Sequence, residues 1–227
     1  MACRSSTARA PAELTQFQTA VTYLIGGSLV LTGALQLALS RYTADRLFEK
    51  NDLQVLPNLL GALTLTTLAS LLLGALVFGL AMPGPLPLKI LLCTCFVILS
   101  DTWIVVVVLS SLKRYQQVLL AFAAGYGVTV AAALLLRDAG LCGLLLGFLL
   151  GQALLFFALL ALVLRAFPAR ELVSLDFLGR GRMYLSLVAT GLIYNLAIWV
   201  DKLLFWYNPA TSEPVLGFMR GSIIYDL

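Results

Sequence analysis

The sequence predicts an all-α integral membrane protein, a bundle of about six transmembrane helices, and three observations lead there. Hydrophobic residues make up 61% of the 227 and charged residues only 11%, against roughly a quarter charged in ordinary soluble domains. Apolar runs long enough to cross about 30 Å of hydrocarbon recur along the chain. The 15 basic and 11 acidic residues fall in short clusters between those runs. A soluble fold must cover itself with polar groups, and this composition cannot supply them. A lipid environment removes that demand.

The spans follow in order. Residues 1–13 form an external N-terminal tail. Leu14 to Ser40 carries no charge and makes the first span. The charged connector RYTADRLFEKND follows, from Arg41 to Asp52. The second span covers about 53–82, with Pro57 near its start, where a helix tolerates proline. PGPLP, from Pro83 to Pro87, is a rigid break. The third span, about 89–112, is interrupted only by Asp101 and closed by Lys113 and Arg114. The fourth and fifth, about 118–136 and 141–164, are separated by the short turn at Arg137 and Asp138. The longest polar connector runs from Arg165 to Arg182. It mixes Arg with Phe167, Leu172, Leu175, Phe177 and Leu178, so both a headgroup-lying amphipathic segment and a solvated linker fit it. The sixth span covers about 183–207 and ends in FWYNP, which reads as an interfacial aromatic belt. Residues 208–227 form an external C-terminal segment.

Orientation follows from Lys and Arg. The connectors after spans one, three and five hold Arg41, Arg46, Lys50, Lys113, Arg114, Arg165, Arg170, Arg180 and Arg182, nine of the 15 basic residues. The other side holds only Arg4, Arg9, Lys89, Arg137, Lys202 and Arg220. The positive-inside rule places the first set in the cytoplasm and both termini outside. An external N-terminus needs a signal peptide or an earlier span, and MACRSSTARAPAELTQ has no apolar h-region. The expectation is therefore a fragment, with a span ahead of Met1 and more beyond Leu227.

The sequence contains no histidine, which removes imidazole-based metal sites and Ser-His or Cys-His nucleophile pairs. Cys93 and Cys95 diverge on a helix, and Cys142 lies in another span, so small buried hydrophobes are the expected role. No metal and no cofactor is expected. The pI near 9.0 reflects loop charge and does not point to nucleic acid.

Several residues stand out as candidates for an ion or substrate pathway. Thr15, Thr19, Thr22, Gly26, Leu29, Gly33, Gln36 and Ser40 form one seam on the first span, nearly all small or polar. Two readings stand for it: close helix packing, or one wall of a hydrated cavity, toward which the amide of Gln36 points. Asp101 falls near the bilayer centre, where a carboxylate is costly and usually marks an ion, proton or substrate route. A structural carboxyl bonded to a hydroxyl on a neighbouring helix is the other reading. Asn195 joins these candidates from the sixth span. Gly143, Gly147 and Gly151 form GxxxGxxxG on the fifth span, a helix-packing signal, and Tyr126 and Thr129 beside Gly125 and Gly127 read the same way. Asp201, Lys202, Trp206 and Tyr207 are expected interface anchors.

Three blocks carry a family likeness: RYTADRLFEKND with VLPNLLGAL (Arg41 to Leu63), LSSLKRYQQVLLAFAAGYGVT (Leu109 to Thr129) and YNLAIWVDKLLFWYNPATSEPV (Tyr194 to Val215). On these the chain resembles the PelG family, the Pel exopolysaccharide transporters of the bacterial inner membrane. The resemblance implies a flippase-like lobe, near the multidrug/oligosaccharidyl-lipid/polysaccharide superfamily, in which access alternates between two helical lobes. It implies export of a cationic, amino-sugar-containing polysaccharide for the biofilm matrix. Implied partners are a cytosolic glycosyltransferase and a cyclic-di-GMP-sensing membrane protein. A transporter carries over no catalytic residue. Two other classes were weighed: a scaffold subunit that anchors a polysaccharide synthase without transporting, and a membrane enzyme acting on lipid-linked sugar. For the last, no loop gathers acidic and basic groups around an active site.

Overall fold

The computed structural model describes residues 3–110, 115–179 and 185–222. Lys113 and Arg114, the stretch from Arg180 to the expected start of span six at Met183, and residues 223–227 lie outside the described residues. Among the described residues six helices are long and apolar enough to cross a membrane: α1 (Cys3–Phe48), α2 (Val55–Gly74), α3 (Leu86–Ser110), α4 (Tyr115–Leu135), α5 (Gly140–Ala166) and α6 (Leu185–Tyr207). The expected all-α membrane bundle is what the chain forms. Leucines point outward along the spans, with Leu68, Leu72, Leu80, Leu119, Leu134 and Leu204 each at least 60% exposed. Such a surface suits hydrocarbon and not water.

α3 is the central helix, with half of its spanning window buried, against 11% for α4 and for α6. It packs on α1, α2 and α5; α4 packs on α5, and α6 packs on α1. One apolar cluster includes Leu59, Ile104, Val108, Leu159 and Phe177. The other includes Leu24, Leu92, Phe96, Leu145 and Met219.

Three local features go beyond the sequence expectation. The first helix does not stop at Ser40 but continues through the charged segment to Phe48. Arg41 pairs with Asp45 at 3.2 Å and Arg46 with Glu49 at 2.9 Å, spacings of four and three that lie on one helical face. The connector after α5 is fastened to the start of α2. Its Ser174 N–H donates to the Pro57 carbonyl at 2.9 Å and its Phe177 N–H to Asn58 Oδ1 at 3.1 Å. Phe167 and Phe177 are buried in the core. Folding it onto the start of α2 satisfies backbone groups and hides two phenylalanine rings at once. Finally, the segment after α6 folds into an antiparallel hairpin, β1 (Ser212–Leu216) and β2 (Met219–Ser222), in the register Ser212↔Ser222 and Leu216↔Met219 with a bulge between Pro214 and Leu216. Gly217 makes its turn at φ 58°, the left-handed region where a side chain is strained. A Cβ there would also press on Met82 Sδ at 2.6 Å.

α2 ends in a seven-residue π-helical stretch, Ala75–Ala81. The wide turn frees carbonyls at its end, and the Lys89 ammonium donates to that of Gly79 at 2.9 Å. This gives one of the few cations of that end of the bundle a fixed partner.

Candidate functional site

Asp101 sits on α3 and is 5% exposed. Fifteen residues separate it from the start of the helix at Leu86, about 22 Å at a rise of about 1.5 Å per residue. Thr67 of α2 donates its hydroxyl to Asp101 Oδ2 at 2.8 Å. The other oxygen, Oδ1, is buried without a hydrogen-bond partner, and so is Thr66 Oγ1 one residue before Thr67. No ion pair to Asp101 is found among the described residues. A carboxyl part-way along a span, with one oxygen bonded and the other buried without a partner, is costly to hold charged.

The seam on α1 lies elsewhere, facing α6. Gly33 lies against Gly191: a Cβ on Gly33 would stand 2.8 Å from the Gly191 carbonyl oxygen and 2.7 Å from Asn195 Nδ2. Gly26 lies under the Trp199 ring, which a Cβ would meet at 2.9 Å. Asn195 is buried and its amide donates to the Gly191 carbonyl at 3.0 Å. Gln36 donates to Thr32 Oγ1 at 2.8 Å, and Thr22 to the Gln18 carbonyl at 2.8 Å. No hydrogen bond among the described residues joins this seam to Asp101; the two candidates occupy different faces of the bundle. With α6 in place, a cysteine at Thr22 or Gln36 in detergent-solubilised protein should react with a water-soluble maleimide far more slowly than one at Phe48, which is 90% exposed. Equal rates would show an open, hydrated seam.

Gly143, Gly147 and Gly151 all face the end and body of α4. Their Cβ positions fall against Leu136 and Ala139, Ala132 and Ala133, and Thr129 and Gly125 respectively. Trp206 is not an outward-facing anchor: it is 3% exposed, stacked on Tyr23 at 4.2 Å between α1 and the hairpin. The large ring buries more apolar area there than a lipid-facing position would. Tyr207 stays outside at 58% exposure. Asp201 Oδ1 accepts the Lys202 backbone N–H at 2.7 Å, and the Lys202 ammonium lies over the Trp199 and Trp206 rings at 5.7 and 5.9 Å.

Sequence reading missed Gln152 and the α1–α3 contact. Gln152 is 2% exposed with Nε2 unbonded, beside a small cavity of about 30 Å³ shared with Thr102, Trp103 and Tyr126. A lone amide inside an apolar run was the available signal. Trp103 donates to Ser28 Oγ at 3.0 Å, a pairing that no spacing reveals. At the Arg41 end, a polar hollow of about 270 Å³ opens between Asn51, Gln54, Asn58, Arg170, Glu171 and Asp176.

Among the described residues no group of three or more His, Cys, Asp or Glu side chains could hold a metal ion. The PelG family, described as "Putative exopolysaccharide Exporter (EPS-E)", matches residues 2–227. The chain belongs to the PelG family. No curated protein and no solved structure matches it. Membership makes this PelG-family chain a multi-pass membrane protein of an exporter class, with exopolysaccharide as the transported material.

Proposed function

We propose that the chain serves in the bacterial inner membrane as a transporter component that exports Pel-type exopolysaccharide for the biofilm matrix, as a lobe of flippase type. The carrying observation is Asp101, a carboxyl part-way along its span with one oxygen held by Thr67 and the other buried without a hydrogen-bond partner, in a chain of an exporter family. In this reading Asp101 takes up and releases an ion as the bundle changes access, and Thr67 fixes its orientation. Movement of α6 away from α1 exposes Thr22, Gly26, Gly33, Gln36 and Asn195 to the passing polymer. The Arg41 end is cytoplasmic, and its polar hollow between Arg170, Glu171 and Asn58 is where a cytosolic glycosyltransferase and a cyclic-di-GMP-sensing membrane protein meet the bundle.

Asp101→Asn keeps the side-chain size and an acceptor for Thr67 while removing the exchangeable charge. Secreted polysaccharide should fall at least about tenfold, with the protein's abundance in the membrane unchanged by immunoblot. Undiminished export at equal abundance rejects the role of Asp101. A scaffold subunit that anchors a synthase is the second reading, favoured by the closed α1–α6 seam at Gly33 and Gly191. In that case Asp101→Asn leaves export intact, while changes around Arg170 and Glu171 release the synthase from the membrane.

A further inference from the structure

Four helices meet around Gln152, and they leave a gap there. Its lining comes from Ile25 of α1, Thr102 of α3, Phe122 and Tyr126 of α4, and Phe148 beside Gln152 itself on α5. Gln152 stands in the middle of its span. It is the twelfth residue after Gly140 in a helix that ends at Ala166, with about 18 Å of helix on one side and about 21 Å on the other.

A primary amide is costly at that depth unless its hydrogen bonds are made. The Gln152 side chain carries two N–H donors on Nε2, and that nitrogen is buried without a hydrogen-bond partner. The polar neighbours are already engaged with others. Trp103 donates its indole N–H to Ser28 Oγ at 3.0 Å, and Thr102 donates its hydroxyl to the Ile98 carbonyl at 2.7 Å.

Size and lining decide what the gap can take. Its volume is about 30 Å³, too small for a sugar ring or an acyl chain and above the about 10–15 Å³ that a water molecule needs. No Asp, Glu, Lys or Arg lines it, so a bare ion would find no counter-charge. Cavities that stay dry have apolar walls, whereas this one carries an amide and the hydroxyl residues Thr102 and Tyr126.

We infer that this cavity binds a water molecule, which accepts a hydrogen bond from Gln152 Nε2 inside the membrane span. The hydroxyl oxygens of Thr102 and Tyr126 are the acceptors available for its own protons, within the about 2–4 bonds that a buried water makes. The bound water lets a polar amide stand in the middle of α5 without a protein partner. The inference is independent of what Asp101 does, whose carboxyl is turned to α2.

The test is radiolytic labelling of the full chain in detergent. A brief X-ray pulse splits water, and the hydroxyl radical oxidises side chains beside the molecule that released it; the sites are read by peptide mass spectrometry. Phe148 and Phe156 lie on the same helix and are 5% and 8% exposed, but of the two only Phe148 lines the cavity. Exposure alone would oxidise Phe156 at least as fast. With water held by Gln152, Phe148 should be oxidised at least about fivefold faster than Phe156. Gln152→Met keeps the length of the side chain and removes the donor, and it should bring Phe148 down to the Phe156 rate. Apolar replacement of similar shape is nearly neutral for folding. Should the variant aggregate nonetheless, the two phenylalanines of the unaltered chain still decide. Phe148 no faster than Phe156 in that chain means a dry cavity and overturns the inference. So does a folded Gln152→Met chain in which Phe148 stays as reactive, since the amide is then not what holds the water.

Discussion

Gly151→Leu should prevent α4 from seating on α5, and the protein should be recovered from the membrane as an aggregating, heat-labile species. The position has no room for a side chain: a Cβ would collide with Thr129 Oγ1, stand 2.6 Å from Thr129 N and 2.7 Å from the Gly125 carbonyl oxygen. Two of those three atoms are backbone and cannot turn aside. One helical turn away, a Cβ on Gly147 would stand 2.6 Å from Ala133 Cα, so the helices cannot slide to relieve the clash. In lipid there is no hydrophobic drive to force helices together, and close van der Waals contact is what associates them. Overpacking costs about 1–3 kcal/mol and occasionally more, and separating the helices adds the loss of their whole interface. The measurement is the temperature at which half the detergent-solubilised protein leaves the monodisperse peak. Gly127→Ala is the control, because nothing lies within 4 Å of its Cβ position; it should be neutral. A Gly151→Leu protein as stable as the unaltered one would refute the close approach of the two helices.

Phe177→Ala should detach the connector after α5 from the start of α2, at a cost of about 3–5 kcal/mol. Phe177 is 1% exposed and meets the Tyr42 ring edge-on at 6.4 Å. Its N–H is held by Asn58 Oδ1, whose own amide donates to Tyr42 OH at 3.0 Å and to the Gln54 carbonyl at 2.9 Å. Losing the ring therefore loosens α1, α2 and the connector together. Trypsin cleavage after the exposed Arg170 in detergent-solubilised protein is the readout, and it should accelerate by well over about tenfold if local opening is fast. Leu172→Ala, at a residue 84% exposed, should leave cleavage unchanged. Equal cleavage of the two variants would show that the connector is not anchored by Phe177.

The spans were readable because charge and oil segregate along the chain, and Asp101 was readable because it breaks an apolar run. Its partner was not. Which hydroxyl reaches Asp101 depends on how α2 and α3 are shifted against each other, and Thr64, Thr66, Thr67 and Ser70 offer similar spacing; the fold selects Thr67. The Phe177–Asn58 contact joins residues 119 apart, and local pattern cannot register such a pairing. The same holds for the hairpin, whose stability comes from Arg220 reaching back to Ser212 and Trp206 and from Met219 being fully buried. The small-residue seam was visible as a seam, but the identity of what fills it came only with the position of α6. The continuation of α1 to Phe48 was not legible because Arg41 to Phe48 is polar yet helical, supported by its own ion pairs.

α6 is fastened to α1 at two places: the glycine crossing at Gly33 and Gly191, and the Tyr23–Trp206–Arg220 clasp. Two fixed points on a stiff rod remove roll and slide as independent freedoms. The pair then behaves as a single strut, and α6 cannot swing outward as a gate unless the clasp or the crossing lets go first. Whichever of the two yields more readily sets the axis about which such a gate would turn.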